Sequence, residues 1–160
     1  PLPEAQLDRF MFNLKIDYPS TEDEISIVRK TTTEEKEKTN PVMTQRDITE
    51  YQNLVKRVPI ADNVVKYAVK IVSATRPSSS PLDFIKESVD WGAGPRASQF
   101  LVLAAKAKAL LDGRPTPDIK DVQSLVAPIL RHRVLPNFNA EAEGLKIEDI
   151  LDKLLISIPE

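Results

Sequence analysis

The chain has 160 residues, of which 41% are hydrophobic and 29% are charged, and its formal net charge is -2. This composition can bury a core, and the near-neutral charge gives no electrostatic attraction to nucleic acid. Cysteine is absent and there is one histidine, which excludes disulfide frameworks, thiol nucleophiles and a histidine-based metal cluster. We expect a soluble, cytoplasmic protein with no membrane span, no metal site and no nucleic-acid partner.

The first predicted elements are a helix end, a strand and a polar helix. Apolar and polar residues alternate from Phe10 to Tyr18, a period that is typical of a β-strand. Because one strand cannot pair its own backbone groups, its partner is expected in a missing segment or in another copy of the chain. Ser20 is the predicted N-cap of the following helix, and the polar residues 31–40 form the predicted connection after it.

The rest of the chain has helical periodicity. Residues 76–81 have the composition of a linker, and Gly92-Ala93-Gly94-Pro95 predicts a turn before the cleanest helix. The last predicted helix lies in residues 145–158. We therefore predict a mainly α fold, a helical bundle preceded by one helix end and one β-strand. The other predicted helices begin at a capping residue or directly after the glycine-rich turn: at Thr44, Asp62 and Thr116, which precedes Pro117, and at Arg96.

Two arginines at the edges of predicted helices are candidate phosphate contacts. Arg9 belongs to the string Leu-Asp-Arg-Phe, and Arg96 to Gly-Pro-Arg-Ala. A guanidinium is planar, permanently charged and well matched to phosphate oxygens. Arg96 also opposes the helix dipole at a helix start, which favours a bound anion, although a plain surface arginine is the alternative. For Arg9 the alternative is an ion pair with Asp8 or Glu4.

Two further features have simple structural explanations. Arg131-His132-Arg133 lies at a predicted helix C-terminus, where cations complement the dipole, and a contact to nucleotide or to another subunit is the alternative. Trp91 is expected to be a packing anchor beside the glycine-rich turn. The sequence contains no Gly-x-x-x-x-Gly-Lys-Ser/Thr loop that could cradle a phosphate.

The order of these motifs resembles the MoxR family of AAA+ ATPases. The resemblance runs from residue 1 to about residue 135, through several spaced strings. One position departs from the family pattern, because Gly94 stands where the family has serine. The strings are Leu-Pro-Glu-Ala-Gln-Leu-Asp-Arg-Phe at 2–10, Tyr-Pro at 18–19, Gly-Ala-Gly-Pro-Arg-Ala at 92–97, Ala-Leu-Leu-Asp-Gly-Arg at 109–114 and Leu-Arg-His-Arg at 130–133.

The resemblance implies two domains and two roles for arginine. Residues 1–34 correspond to the end of the AAA+ α/β core, and residues 41–160 to the helical lid. Arg9 corresponds to the arginine finger that reaches the γ-phosphate bound by a neighbouring subunit. Arg96 corresponds to the sensor 2 arginine, which contacts ATP in its own subunit from the turn formed by Gly94 and Pro95.

The family's activity would then belong to the full-length protein. The resemblance implies ATP and Mg²⁺ as cofactors there, with none bound tightly to this chain, which lacks the nucleotide-binding loop and the acidic metal-binding motif. It implies a homo-oligomeric ring, expected to be a hexamer, that acts like a chaperone on client proteins or von Willebrand factor A domain partners. Because the chain opens with Pro1, we expect a fragment that supplies sensing and subunit contact without hydrolysing ATP alone.

Two alternatives stay open at this point. A non-enzymatic helical adaptor could bind partner proteins through apolar helix faces such as 145–158, but it has no reason to carry both arginine motifs. The second alternative is an AAA+ protein outside the MoxR family, near magnesium chelatase or the minichromosome-maintenance helicases. The strings at residues 4–10 and 110–114 favour MoxR, and the near-neutral charge argues against loading onto DNA.

Overall fold

The computed structural model describes residues 2–33 and 39–159, in which nine helices and two short strands are present. This confirms the predicted mainly α fold class. The predicted connection 31–40, and with it the boundary between 1–34 and 41–160, lies partly outside the described residues. The elements are α1 (Glu4–Leu7), α2 (Thr21–Thr31), α3 (Gln45–Arg57), α4 (Asp62–Ala74), α5 (Asp83–Ser88), β1 (Val89–Trp91), α6 (Pro95–Leu111), α7 (Ile119–Leu130), β2 (Leu135–Pro136), α8 (Phe138–Ala142) and α9 (Ile147–Ser157).

Local hydrogen bonds fix several helix ends where the sequence predicts them. The Ser20 hydroxyl accepts from the Asp23 backbone at the start of α2, and Thr44 forms a reciprocal capping box with Asp47 at the start of α3. Each cap satisfies a backbone N–H that has no partner inside the helix. After α6, Gly113 takes a left-handed conformation with φ 71°, which only glycine adopts without strain.

Two predicted helix starts are wrong, one by one residue and the other by two. Ala61 is the N-cap of α4, so Asp62 is its first helical residue and complements the dipole instead of capping the helix. Helix α7 begins at Ile119 and not after Thr116, because Asp118 forms a capping box with Asp121. The Thr116 hydroxyl donates instead to the Pro59 carbonyl, 3.2 Å away.

The core lies mainly between α4, α6, α7 and α9. Helix α6 packs against α3, α4 and α7, and α9 closes the bundle against α4 and α7. Small residues on α6 allow the close approach, since Ala97 and Ala105 are fully buried. The largest fully buried side chains are Ile71, Ile85, Leu101, Ile129, Leu130, Ile150, Leu151 and Leu154. Each such side chain contributes about 1.5–3 kcal/mol by leaving water.

The segment predicted as a linker packs on the bundle through Ser80. Ser80 is buried, and its hydroxyl donates to the Ala74 carbonyl over 2.7 Å. Thr75 is buried as well and accepts a hydrogen bond from the Ala93 backbone. Gly92 presses directly on this loop, because a Cβ there would lie 2.4 Å from the Thr75 carbonyl oxygen. Glycine is therefore required at residue 92 by close backbone approach.

The strand predicted at 10–18 is absent. No described strand offers it an edge, and the two strands of the described residues, β1 and β2, pair antiparallel with each other. The segment instead crosses the C-terminal end of α7, where the Asn13 N–H donates to the Pro128 carbonyl over 2.8 Å. Met11 packs against the core, but Ile16 is 91% exposed. The alternation is present in the sequence, and a strand needs a pairing partner that the described residues do not provide.

An ion-pair network closes the turn between α6 and α7. Arg114 donates to both carboxylate oxygens of Asp121, over 2.8 and 2.6 Å, and also to Asp112. Asp121 is almost fully buried, and Lys108 lies 3.6 Å from it. The hydrogen bonds from Arg114 outweigh burial and lower the pKa of Asp121 to about 2. The Leu-Leu-Asp-Gly-Arg string therefore serves the connection between two core helices.

Candidate functional site

The two arginine motifs meet in space through one carboxylate. Asp8, which precedes Arg9, accepts from Arg96 on Oδ2 at 2.5 Å, across 88 positions in sequence. Its other oxygen, Oδ1, accepts from Arg133 at 2.9 Å. Hydrogen bonds from Arg133 and Arg96 outweigh the effect of burial and lower the pKa of Asp8. The carboxylate is thus ionised at neutral pH and holds two guanidinium groups at once.

Arg133 is the most deeply buried charged group of this site. Its side chain is 1% exposed, its Cζ lies 5.1 Å from the centre of the Phe100 ring, and it donates to the Ile129 carbonyl near the end of α7. It also donates to the carbonyls of Asp8 and Phe10 at 2.8 and 2.5 Å and of Met11 at 3.3 Å. Arg133, which follows the C-terminal end of α7, therefore binds the backbone of the N-terminal segment by hydrogen bonds.

Arg131 and His132, which precede Arg133, bind the same N-terminal segment. Arg131 donates to the Asn13 carbonyl over 3.2 Å, and the His132 Nε2 lies 3.1 Å from the Phe10 carbonyl. Burial lowers the pKa of His132, so the neutral ring with Nε2–H as donor fits this contact. The run Arg131-His132-Arg133 thus has a larger role than complementing the dipole of α7. Sequence spacing could not reveal this, because the contacts join residues more than 100 positions apart.

Arg9 and Arg96 differ in their surroundings. Arg9 is exposed, and within residues 2–33 and 39–159 no side chain or carbonyl pairs with its guanidinium. The predicted alternative, an ion pair with Asp8 or Glu4, is therefore wrong. Arg96 is paired with Asp8, but its side chain keeps 45% exposure and can exchange this partner. Within the described residues Arg9 therefore has no partner, whereas Arg96 is held by the Asp8 carboxylate.

The turn before Arg96 leaves room for an anion. Gly94 is the N-cap of α6, Pro95 is its first residue, and the first turn carries no acidic residue. A Cβ at Gly94 would meet nothing within 4 Å, so the space in front of the helix is open and glycine is not required there. Free N–H groups and the helix dipole favour negative charge at such an end. These residues fit a phosphate group of ATP.

A cleft of about 270 Å³ lies beside this turn. Its walls come from α1, from the turn before α6 and from the end of α7. Trp91 lies on its rim and is 68% exposed, so the expectation that Trp91 is a packing anchor is wrong. The lining residues are Glu4, Ala5, Asp8, Trp91, Gly92, Gly94, His132, Arg133 and Leu135.

No group of three or more histidine, aspartate or glutamate side chains within 2–33 and 39–159 is arranged to hold a metal ion. In the same part of the chain, no helix combines the length and apolar character needed to cross a membrane.

Comparisons with known proteins identify this architecture. Residues 84–154 match the family model of the AAA lid domain. The chain is 33% identical to Chaperone MoxR1 of Mycobacterium tuberculosis over 43% of that protein, and 35% identical to YeaC of Bacillus subtilis over 47%. It is 27% identical to Protein MoxR of Paracoccus denitrificans over 50% of its length. Almost the whole of this chain is covered each time.

A solved structure has the same fold. A predicted ATPase from Cytophaga hutchinsonii superposes with a TM-score of 0.90 and 31% identity, over 99% of this chain and 49% of that protein. The chain thus spans about half the length of the relatives it matches. Together with the lid-domain match, these relatives show that the chain belongs to the MoxR family of AAA+ ATPases and carries the helical lid of such a protein.

Proposed function

We propose that this chain supplies the lid and two phosphate-contacting arginines of a MoxR-like ATPase. Residues 1–34 would be the end of the α/β core and residues 41–160 the lid. The observation that carries the proposal is the contact between Asp8 and Arg96, which brings the Leu-Asp-Arg-Phe and Gly-Pro-Arg-Ala strings together. The two motifs are far apart in the sequence. Their contact is explained if both contribute to nucleotide sites, one in the same subunit and one in the neighbouring subunit.

The two arginines would act on different nucleotides. Arg96 would contact the γ-phosphate in its own subunit, from the open turn at Gly94 and Pro95, and would leave Asp8 to do so. Arg9, exposed and without a partner in the described residues, would reach the phosphate bound by the next subunit of a ring. Mg-ATP supplies the phosphoryl group that is transferred to water, and positioned cations stabilise its charge.

The coupling of this activity to partner proteins is also proposed. One relative is named a chaperone, Chaperone MoxR1. On that similarity we propose that the full-length protein remodels or matures client proteins, including von Willebrand factor A domain partners. A homo-oligomeric ring, expected to be a hexamer, would place Arg9 of one subunit at the site of the next. The chain alone would not turn over ATP. The cytoplasmic location expected from composition stays a prediction.

The test is ATP turnover by the full-length gene product over a range of ATP concentrations. Arg9→Ala is expected to lower kcat by about 10³-fold or more with little change in KM, as for loss of an arginine finger. Arg96→Ala is expected to raise KM as well, because it contacts nucleotide before the chemical step. Arg46→Ala is the matched control, since Arg46 is an exposed arginine on α3 whose one partner among the described residues is Glu50.

Unchanged turnover in both Arg9→Ala and Arg96→Ala would overturn the proposal. The chain would then be better described as a helical interaction module. An apolar groove between α3 and α6, of about 670 Å³ and lined by Val55, Leu103 and Leu111 among others, would be its first candidate surface.

A further inference from the structure

We infer that Arg133 is a positioning residue for Arg9, an assignment that rests on the proposed finger role of Arg9. Arg133 donates to the carbonyls of Asp8, Phe10 and Met11, and to the Asp8 carboxylate. These groups lie on both sides of Arg9. The lid residue therefore fixes the backbone from which the Arg9 side chain projects, without contacting that side chain.

The chemistry of the contact requires arginine. Every N–H of the Arg133 guanidinium has an acceptor: Nε donates to Asp8 Oδ1, Nη1 to the Met11 and Ile129 carbonyls, and Nη2 to the Asp8 and Phe10 carbonyls. A lysine ammonium has fewer donors and no planar fork, so it cannot reproduce this set. The bond to Ile129 and the Phe100 ring hold the guanidinium itself in place.

The segment depends on this contact because its other contacts are few: the Asn13 N–H donates to the Pro128 carbonyl, and Lys15 pairs with Glu148. Residues 10–18 form no strand with any described residue, and Met11 is their one side chain packed on the core. Arg131 and His132 hold only the Asn13 and Phe10 carbonyls. Since Arg9 has no partner within the described residues, its position is inherited from its backbone. A displacement of about 1 Å in a catalytic group can lower a rate about 100-fold.

The Asp8 carboxylate connects Arg133 to Arg96. One of its oxygens is held by buried Arg133 and the other by half-exposed Arg96. When Arg96 moves to a phosphate, the bond from Arg133 still holds Asp8. Arg133 therefore keeps the finger segment in place whether or not the sensing arginine is bound to Asp8.

The experiment compares Arg133→Lys, Arg9→Ala and the double variant in the full-length gene product, with Arg46→Lys as the surface control. We expect Arg133→Lys to lower kcat about 10-fold to 100-fold, with an unchanged KM for ATP. The double variant should be no slower than Arg9→Ala alone, because a misplaced finger cannot matter once the finger is gone. A merely structural role would lower both backgrounds by the same factor.

The outcomes separate this inference from the proposed function. Wild-type turnover in Arg9→Ala would overturn the finger itself. Loss of turnover in Arg9→Ala, with no loss in Arg133→Lys or with independent losses in the double variant, would overturn only the positioning role. If circular dichroism shows that Arg133→Lys does not fold, Arg133→Gln replaces it, because the glutamine amide keeps N–H donors for the carbonyls of the segment and places no charge in this buried position. The same non-additivity with Arg9→Ala is then expected, and its absence contradicts the inference.

Discussion

Helices α2 and α9 contain 11 residues each, begin with an acidic first turn and carry an apolar stripe, yet they lie in very different surroundings. Helix α9 buries Ile150, Leu151 and Leu154 in the bundle, whereas α2 buries no residue. The whole N-terminal region, residues 2–31, differs from the bundle at 62–158 in this way. Local sequence sets where a helix begins in both regions, but only packing in the bundle stabilises the helix further.

The contact between the two regions is mainly polar. Arg131, His132 and Arg133 bind backbone carbonyls of residues 8–13, and Lys15 pairs with Glu148 of α9 at 2.6 Å. Apolar burial stabilises by excluding water over large areas, whereas exposed ion pairs are screened and contribute little. We therefore expect substitutions in the bundle to change global stability, and substitutions at exposed positions of the N-terminal region to change it only slightly.

The largest expected difference is between two aliphatic residues, one from each region. Leu101→Ala removes a fully buried side chain of α6 and should lower the free energy of unfolding by about 2–5 kcal/mol. Ile16→Ala removes a side chain that is 91% exposed and should change it by about 0.5 kcal/mol or less. Urea denaturation of both variants, followed by circular dichroism, measures this. Equal losses would mean that residues 10–18 are packed in solution.

A second pair of variants tests the turn before α6. Gly92→Ala forces a Cβ against the Thr75 carbonyl and should destabilise the bundle by about 1–3 kcal/mol, because the backbone must move. Gly94→Ala meets no atom within 4 Å and should be close to neutral, so it is the matched control. The thermal midpoints of both variants report the result. A neutral Gly92→Ala would contradict the close approach.

The ion pair at the start of α7 predicts a pH dependence. The folded pKa of Asp121, about 2, lies below its ordinary value of 3.8, so its contribution is fully present above about pH 4. That contribution, up to about 2 kcal/mol, is lost as the pH falls towards 2. In denaturant titrations, Asp121→Asn should therefore reduce the change in the free energy of unfolding between about pH 4 and about pH 2. Asp90→Asn, which changes an exposed carboxylate of β1, is the control, and an equal reduction by it would contradict the assignment.

The smallest effect is expected at the surface pair that joins the two regions. Lys15→Ala should lower stability by about 1 kcal/mol or less, and the difference from wild type should shrink in salt, because Lys15 is largely exposed. Unfolding curves at low and high sodium chloride measure both quantities. A large, salt-independent loss would show that the N-terminal region contributes more to the fold than its contacts indicate.

The same comparison explains what could be predicted from sequence. Caps at Ser20 and Thr44 were predictable because their hydrogen bonds join residues three positions apart. The start of α7 was misplaced because Asp118 and Thr116 are both good caps, and only the fold decides between them. The strand predicted at 10–18 does not form among the described residues, because the pairing partner that it needs was expected outside this chain.

The candidate site was predictable only in part. Arg9 and Arg96 could be named from motifs, but their connection through Asp8 could not, because it joins distant residues. Arg133 was the least predictable residue of the site. At a helix C-terminus a cation has a sufficient local explanation, and burial against Phe100 and four carbonyls depends on the tertiary structure.

The most direct test of the central claim, that Arg9 and Arg96 serve different subunits, is ATP turnover in mixed rings. Arg9→Ala subunits of the full-length gene product are mixed with subunits that keep Arg9 but have a disabled nucleotide-binding loop. Turnover should reappear in this mixture, since an intact finger is supplied from the neighbouring subunit, and should not reappear with Arg96→Ala subunits, whose own site is damaged. No recovery with Arg9→Ala, or equal recovery with both variants, would contradict the account.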